Sequence, residues 1–409
     1  MKQLTLTLLA TISMSTLQAQ YKTPAQKLIT KEDSLHQGLT QQQTVISGYG
    51  SAFYQRDNNA QQATTTLERA VLFVGHQFND RISFFSELEI ENAKVEGGEG
   101  EGEVAMEQAF LKFNISPNKY IVAGLFVPRI GLLNENHLPV NFNGVERPLV
   151  ESLVIPATWR ELGVCLYGNS NRFPINYSLG LVNGLNQAKF AHENGIREGR
   201  AEGSMATANN LAILGSLQYF SGNFKYQISG YMGGTNGLAK NVADSLNLKS
   251  GAFAMPVFLG EANVQFNNNN GFAAKALATF ISLTDANKIN AVYGTNVSKS
   301  MYGTYGEVGY DLFHKKQKQA QLIAFARYEM LDLNAGTEDE DPNYDGTLKQ
   351  SHLIAGFTYL PIPNVVIKAD VRLMQTGEEN PLLVQNPLPN GLSYKPNNSF
   401  INIGIGYSF

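Results

Sequence analysis

The chain has 409 residues, a formal net charge of −4 and a single cysteine, Cys165. One cysteine excludes an intrachain disulfide framework, and the lack of a basic surplus argues against nucleic acid as a partner. Charged residues are only 16%, aromatics reach 10%, glycine is abundant at 38 and mean hydropathy is −0.18. Apolar character is therefore spread along the chain in the way alternating strands require, with no long helical blocks.

Residues 1–19 read as a secretory signal peptide. Lys2 precedes an apolar run from Leu4 to Leu17, and Leu17-Gln18-Ala19 is placed for cleavage before Gln20. Residues 20–43 are polar and Gln-rich without a strand period, and read as a periplasmic N-terminal arm. Later apolar runs, such as Ile121–Val127, are far too short for a spanning helix. A membrane location would require a β-barrel, and residues 44–409 read as one.

From Thr44 the sequence settles into segments in which every second residue is apolar. Side chains on a strand point alternately to opposite faces, so the wall of a barrel shows this period. Phe84, Leu88 and Ile90 oppose Glu87, Glu89 and Glu91; Ala109, Leu111, Phe113 and Ile115 oppose Gln108, Lys112 and Asn114. The same pattern recurs at 257–266, at 320–332 and at 365–374, where Val365, Ile367, Ala369, Val371 and Leu373 oppose Lys368, Asp370 and Arg372. Strands are expected at 44–56, 66–78, 81–95, 104–115, 119–127, 158–168, 174–183, 210–220, 224–233, 256–267, 271–283, 300–313, 320–333, 348–360, 364–376 and 398–409. That makes an all-β, antiparallel transmembrane barrel of sixteen strands.

A water-soluble sandwich would alternate too, but the connections separate the cases. Links after even strands are tight: Asn79-Asp80, Ser116-Pro117-Asn118, Ser221-Gly222-Asn223 and Pro361-Ile362-Pro363. Links after odd strands are mostly long and polar, as at 184–209, 234–255, 284–299 and 377–397. Long loops on one side and short turns on the other are characteristic of outer-membrane barrels. The chain ends on an alternating strand with Ile401, Ile403, Ile405, Tyr407 and Phe409 on one face. Such a strand would be an exposed edge unless the first strand closes on it. A terminal Phe two residues after Tyr resembles the signal by which the barrel-assembly machinery receives its clients.

Residues 124–164 narrow the family. Phe126-Val127-Pro128 ends a glycine-bearing strand, Glu146-Arg147 lies near the middle of the following long segment, and Thr158-Trp159-Arg160-Glu161 leads back into the wall. This run resembles the porins of the phosphate-selective porin O and P superfamily, except that Leu162 precedes Gly163. The resemblance implies a sixteen-stranded homotrimeric channel. As the third long loop of such a porin, residues 128–157 are expected to fold into the lumen and set the constriction. It does not carry phosphate over, because no Lys- and Arg-rich ladder is legible.

Within the loop, Glu135, His137, Glu146, Arg147 and Glu151 are the constriction candidates. Charges at close quarters in a narrow, poorly screened lumen govern selectivity. On the wall, Glu87, Glu89, Glu91, Lys112, Arg160, Glu161, Glu261, Lys275, Arg327, Glu329, Lys368, Asp370 and Arg372 are expected to face inward, since a charge facing lipid is costly. Leu149, Val150, Leu153, Val154 and Ile155 would expose a large apolar patch if the loop were simply solvated. Asp341, Asn343 and Asp345, followed by Gly346, match the first half of a calcium-loop pattern. His352 stands where the bidentate Glu belongs, so an EF-hand fails and a weak, partial calcium site is the only cofactor reading. The six histidines are scattered and no hydrolase motif is present. The expected function is passive diffusion of small hydrophilic solutes or ions across a Gram-negative outer membrane, with lipid as the surrounding partner. A barrel protease or lipase, or an occluded substrate-binding or adhesion barrel, is the alternative.

Overall fold

A computed structural model describes residues 43–92, 102–203, 205–206, 208–236, 240–248, 256–268, 270–315, 319–337, 344–380 and 394–409. The expected signal peptide and nearly all of the expected arm lie outside these residues. Sixteen strands build the wall and are numbered in chain order: β1 Gln43–Asp57, β2 Gln62–Gln77, β3 Ile82–Glu91, β4 Glu103–Ser116, β5 Lys119–Phe126, β6 Glu161–Asn169, β7 Ile175–Asn183, β8 Leu211–Ser221, β9 Phe224–Gly233, β10 Val257–Asn267, β11 Phe272–Leu283, β12 Ser300–Asp311, β13 Gln321–Asp332, β14 Lys349–Ile362, β15 Val365–Thr376 and β16 Asn397–Ser408.

Every strand pairs antiparallel with its chain neighbours, and β16 returns to β1, with Tyr49 opposite Ser408 and Asp57 opposite Phe400. The terminal residue completes the seam: Gly48 N–H donates to the Phe409 carbonyl at 3.1 Å, and Phe409 N–H returns the bond at 2.8 Å. Closure leaves no edge strand with unpaired backbone groups, which is the condition for crossing lipid.

The two faces of the wall settle which way the alternation points. On β16, Ile401, Ile403, Ile405 and Tyr407 are 42, 50, 58 and 42% exposed, while Asn402 between them is 1% exposed. Leu353 and Phe357 on β14 and Val371 and Leu373 on β15 are likewise exposed, while Lys368, Asp370 and Arg372 are buried. Apolar outside and polar inside is the reverse of a soluble sandwich and fits a wall surrounded by hydrocarbon.

The strands fall close to their expected limits, with one difference that matters. The sixth strand begins at Glu161, three residues later than the period suggests. Thr158, Trp159 and Arg160 therefore belong to the connection, and Arg160 is not a wall residue. Trp159, the chain's single tryptophan, is wholly buried there. Among the described residues, the long connections carry two short α-helices, α1 Lys240–Ser245 and α2 Ala286–Tyr293, and a two-residue parallel pairing of Leu185–Asn186 with Thr235–Asn236.

Candidate functional site

Two β-bulges gather charge on one sector of the inner wall. On β2, Ser51 pairs with Arg69 but the next residue, Ala52, pairs with Leu67, so Glu68 is the extra residue. On β4, Glu87 pairs with Gln108 and Leu88 with Met106, which leaves Glu107 over. A bulge sets two neighbouring side chains on the same side of the ladder. Glu68 and Arg69 both turn inward, as do Glu107 and Gln108, while Leu67 and Met106 stay exposed.

These residues bond to one another. Arg69 reaches Glu68 at 3.3 Å and Glu89 at 3.2 Å. Ser51 donates to Glu68 at 2.7 Å, Gln108 to Glu87 at 2.8 Å, and Tyr49 to Glu107 at 2.9 Å. Glu87, Glu89 and Glu107 are almost completely buried, whereas Glu91 at the strand end is half-buried. Arg160, just ahead of β6, lies 3.8 Å from Glu89 and 3.1 Å from Glu202.

The 128–157 segment meets this sector through His137. Its Nδ1 is 2.7 Å from the Asn134 carbonyl, and its Nε2 is 2.8 Å from the Tyr49 hydroxyl and 3.4 Å from Glu107. Burial pulls the His137 pKa down to about 4, against the upward pull of Glu107. Arg147 stands close to Arg69, Glu68 and Glu107, and burial together with Arg69 lowers its pKa. Arg129 and Glu135 pair with each other at 2.6 Å.

The same segment reaches across to strands on the other side of the ring. Arg327 on β13 donates to the Asn143 carbonyl at 3.0 Å and the Glu146 carbonyl at 3.2 Å, while its own charge is met by Glu307 at 3.2 Å and Glu329 at 2.8 Å. Lys275 approaches Glu307 at 3.1 Å. Asp370 on β15 accepts the Val145 N–H at 2.7 Å, Glu329 accepts the Val150 N–H at 3.0 Å, and Arg372 holds Glu146 at 2.8 Å. Lys368 lies 3.5 Å over the Phe142 ring. A backbone N–H taken from water costs free energy unless an acceptor replaces the solvent, and a carboxylate is a strong replacement.

The turn from Val150 to Val154 is set by Glu151. One of its oxygens accepts the N–H groups of Leu132 and Leu133 at 2.8 and 2.7 Å, and the other accepts the Tyr305 hydroxyl at 2.6 Å. Gly131 makes this approach feasible: its φ is +75°, and a Cβ there would stand 2.8 Å from the Glu151 carboxylate. Around the turn, Val150, Val154, Ile155 and Trp159 are wholly buried and pack with Met301 and Tyr305 of β12. Each such side chain contributes about 1.5–3 kcal/mol by leaving water. Trp159 donates its indole N–H to Glu161 at 2.8 Å, and Asn183 donates to the same carboxylate at 2.7 Å. Glu261 is held by Ser229 at 2.5 Å and Asn263 at 2.6 Å.

A cavity of about 820 Å³ lies below the segment, toward the short turns at Asp80–Arg81 and 116–118. Its lining mixes Lys112, Lys225 and Lys275 with Glu87, Glu135 and Glu307. Lys112 stands 4.2 Å over the Tyr120 ring. Asp341 and Asn343 lie outside the described residues. Asp345 caps a short turn by accepting the Thr347 N–H at 2.9 Å.

Sequence period points to most of the inward wall charges but not to Tyr49, Glu68, Arg69, Glu107, Glu307 or Asn402. The bulges leave a faint mark, two polar residues side by side after an outward apolar one: Leu67-Glu68-Arg69 and Met106-Glu107-Gln108.

No protein-family model matches the chain, so the likeness of residues 124–164 to one porin superfamily remains a likeness. An uncharacterized protein of Aquifex aeolicus is 29% identical over 338 residues, covering 80% of this chain and 74% of that one. Among solved structures, the anion-selective porin from Comamonas acidovorans aligns with a TM-score of 0.52 at 10% identity, over 90% of this chain and all of its own. The trimer form of OmpT, an outer membrane protein of Vibrio cholerae, gives 0.52 at 10% identity, over 90% and 99%. The outer membrane channel DcaP of Acinetobacter baumannii gives 0.50 at 12% identity, over 91% and 99%. The chain is a closed sixteen-stranded antiparallel barrel whose fold matches that of outer-membrane barrels.

Proposed function

We propose that the protein is a porin: a passive diffusion channel for small hydrophilic solutes or ions, working as a homotrimer in the outer membrane. Residues 128–157 fold into the lumen and form the constriction. The observation that carries this reading is the set of bonds from Asn143, Val145, Glu146 and Val150 to side chains of β13 and β15, far around the ring from β5 and β6, which the segment connects. A segment anchored at both sides narrows the passage and fixes the charges along it.

The electrostatics fit this role. Carboxylates prevail on β2–β4, and on β13 and β15 Arg327, Lys368 and Arg372 outnumber Glu329 and Asp370 on the same inner face. A field directed across a narrow lumen orients polar solutes and restrains apolar ones. The channel reading assigns the protein no catalytic role. The trimer form of one structural neighbour supports the oligomeric part of the reading.

One observation favours a second reading, an occluded barrel that binds a ligand without conducting. Val257, Leu259, Leu277 and Ile281 on the inner faces of β10 and β11 pack into the same apolar cluster as Val150, Val154 and Trp159. Planar-bilayer recording of the purified protein separates the two. Stepwise conductance supports the porin, and the absence of conductance at any voltage leaves the occluded barrel.

A further inference from the structure

We propose that Glu87, Glu107 and His137 hold a divalent transition-metal ion, of which zinc is the best probe, and that this ion clips the 128–157 segment to the wall. Each residue offers one ligand atom, and the three atoms lie within 4.8 Å of one another. They come from β3, from the bulge on β4 and from the loop, so one ion would join three separate pieces of chain.

The hydrogen-bond accounting calls for a positive species here. His137 Nδ1 faces the Asn134 carbonyl, which can only accept, so Nδ1 carries the ring proton and neutral His137 presents a lone pair at Nε2. The Tyr49 hydroxyl has one proton for two acceptors, Glu107 Oε2 at 2.9 Å and His137 Nε2 at 2.8 Å. Glu107 Oε1 is buried, has no hydrogen-bond donor, and sits 3.4 Å from that same nitrogen. Lone pairs thus face lone pairs among almost fully buried side chains, an arrangement that is costly without a bridging cation.

Charge balance agrees. Glu68, Glu87, Glu89 and Glu107 gather around Arg69 and Arg147, with Arg160 3.8 Å from Glu89 but bonded more closely to Glu202 at 3.1 Å. A bound cation adds positive charge where these carboxylates crowd. One imidazole nitrogen with two carboxylate oxygens is a zinc-type donor set, whereas calcium and magnesium favour oxygen alone. Outer contacts that orient metal ligands are also present: Asn134 on His137, Gln108 on Glu87 at 2.8 Å, and Tyr49 on Glu107.

This inference does not depend on whether the barrel conducts, and its test needs no transport. Full-length folded protein in detergent is stripped with chelator and titrated with Zn²⁺ by calorimetry, and with Co²⁺ by visible absorption. One ion per chain is expected, with a ligand-field spectrum for Co²⁺ and a rise in the unfolding temperature. H137Q and E107Q should each bind at least about tenfold more weakly while keeping the electrophoretic mobility of a folded barrel. Two results overturn the proposal: no binding, or binding by H137Q and E107Q as tight as that of the unaltered protein.

Discussion

Arg372 of β15 and Glu146 of the 128–157 segment meet at 2.8 Å, although 226 positions separate them in the chain. Arg372 also stacks 3.8 Å over the Phe400 ring, so its guanidinium is fixed from two sides. Neutralising Glu146 would remove the counter-charge without moving the arginine.

E146Q should therefore shift the reversal potential in asymmetric KCl toward anion preference, while R372Q should shift it toward cations. The exchange E146R/R372E should return it close to wild type, because the pair is restored with its ends reversed. An unchanged reversal potential in both single variants would place this pair off the permeation path.

Glu151 gives the segment a pH dependence. Burial raises its pKa above the ordinary carboxylate range, despite the opposing pull of the Leu132 and Leu133 N–H groups, the Tyr305 hydroxyl and Lys275. The folded state therefore holds this proton more tightly than the unfolded state, and Glu151's contribution is fully present below the ordinary carboxylate pKa. It is lost as pH rises through the raised folded-state value. Trp159, wholly buried in the same cluster, is a built-in reporter. Its emission during thermal unfolding should show a midpoint that falls with rising pH in that window, and E151Q should flatten the dependence. An equal slope in E151Q would mean another group titrates.

The lipid-facing surface makes a sharper distinction between neighbours. Ile403 lies on the exposed face near the middle of β16, and Asn402 beside it donates to Asp370 at 2.8 Å. Ile403→Arg should destabilise the barrel by about 2–4 kcal/mol, the range for a basic residue near the bilayer midplane. Asn402→Ala should instead loosen the Glu146 and Asp370 contacts and alter conductance with the barrel intact. Urea unfolding in lipid vesicles, set beside single-channel recording, checks both.

The wall was legible because a closed barrel repeats one rule. Ile401, Ile403 and Ile405 alternate with inward residues, and each strand obeys lipid outside and polar groups inside independently of its partners. The site was only partly legible. Val145 and Asp370 are 225 residues apart, and nothing local in either says that the carboxylate takes that N–H. Tyr49 reads as one aromatic among eighteen tyrosines until closure brings β1 beside the loop. Glu68 and Glu107 are hidden for another reason: a bulge breaks the period from which facing is inferred.

The bulges carry the last prediction. Removing Glu107 repairs the ladder, because Gln108 stays opposite Glu87, Met106 stays opposite Leu88, and every remaining side chain keeps its face. Removing Glu68 does the same for Arg69 and Leu67 against Ser51 and Ala52. Deleting the adjacent Met106 instead would force Glu107 into the outward position, where a carboxylate faces the apolar surroundings of Leu88 and Leu111. The Glu107 deletion should thus fold and migrate as a heat-modifiable barrel in which Tyr49 no longer has that carboxylate as an acceptor. The Met106 deletion should assemble poorly or unfold at lower temperature. Electrophoresis of heated and unheated outer-membrane fractions compares the two directly, and equal behaviour would show that the extra residue does not sit where the register places it.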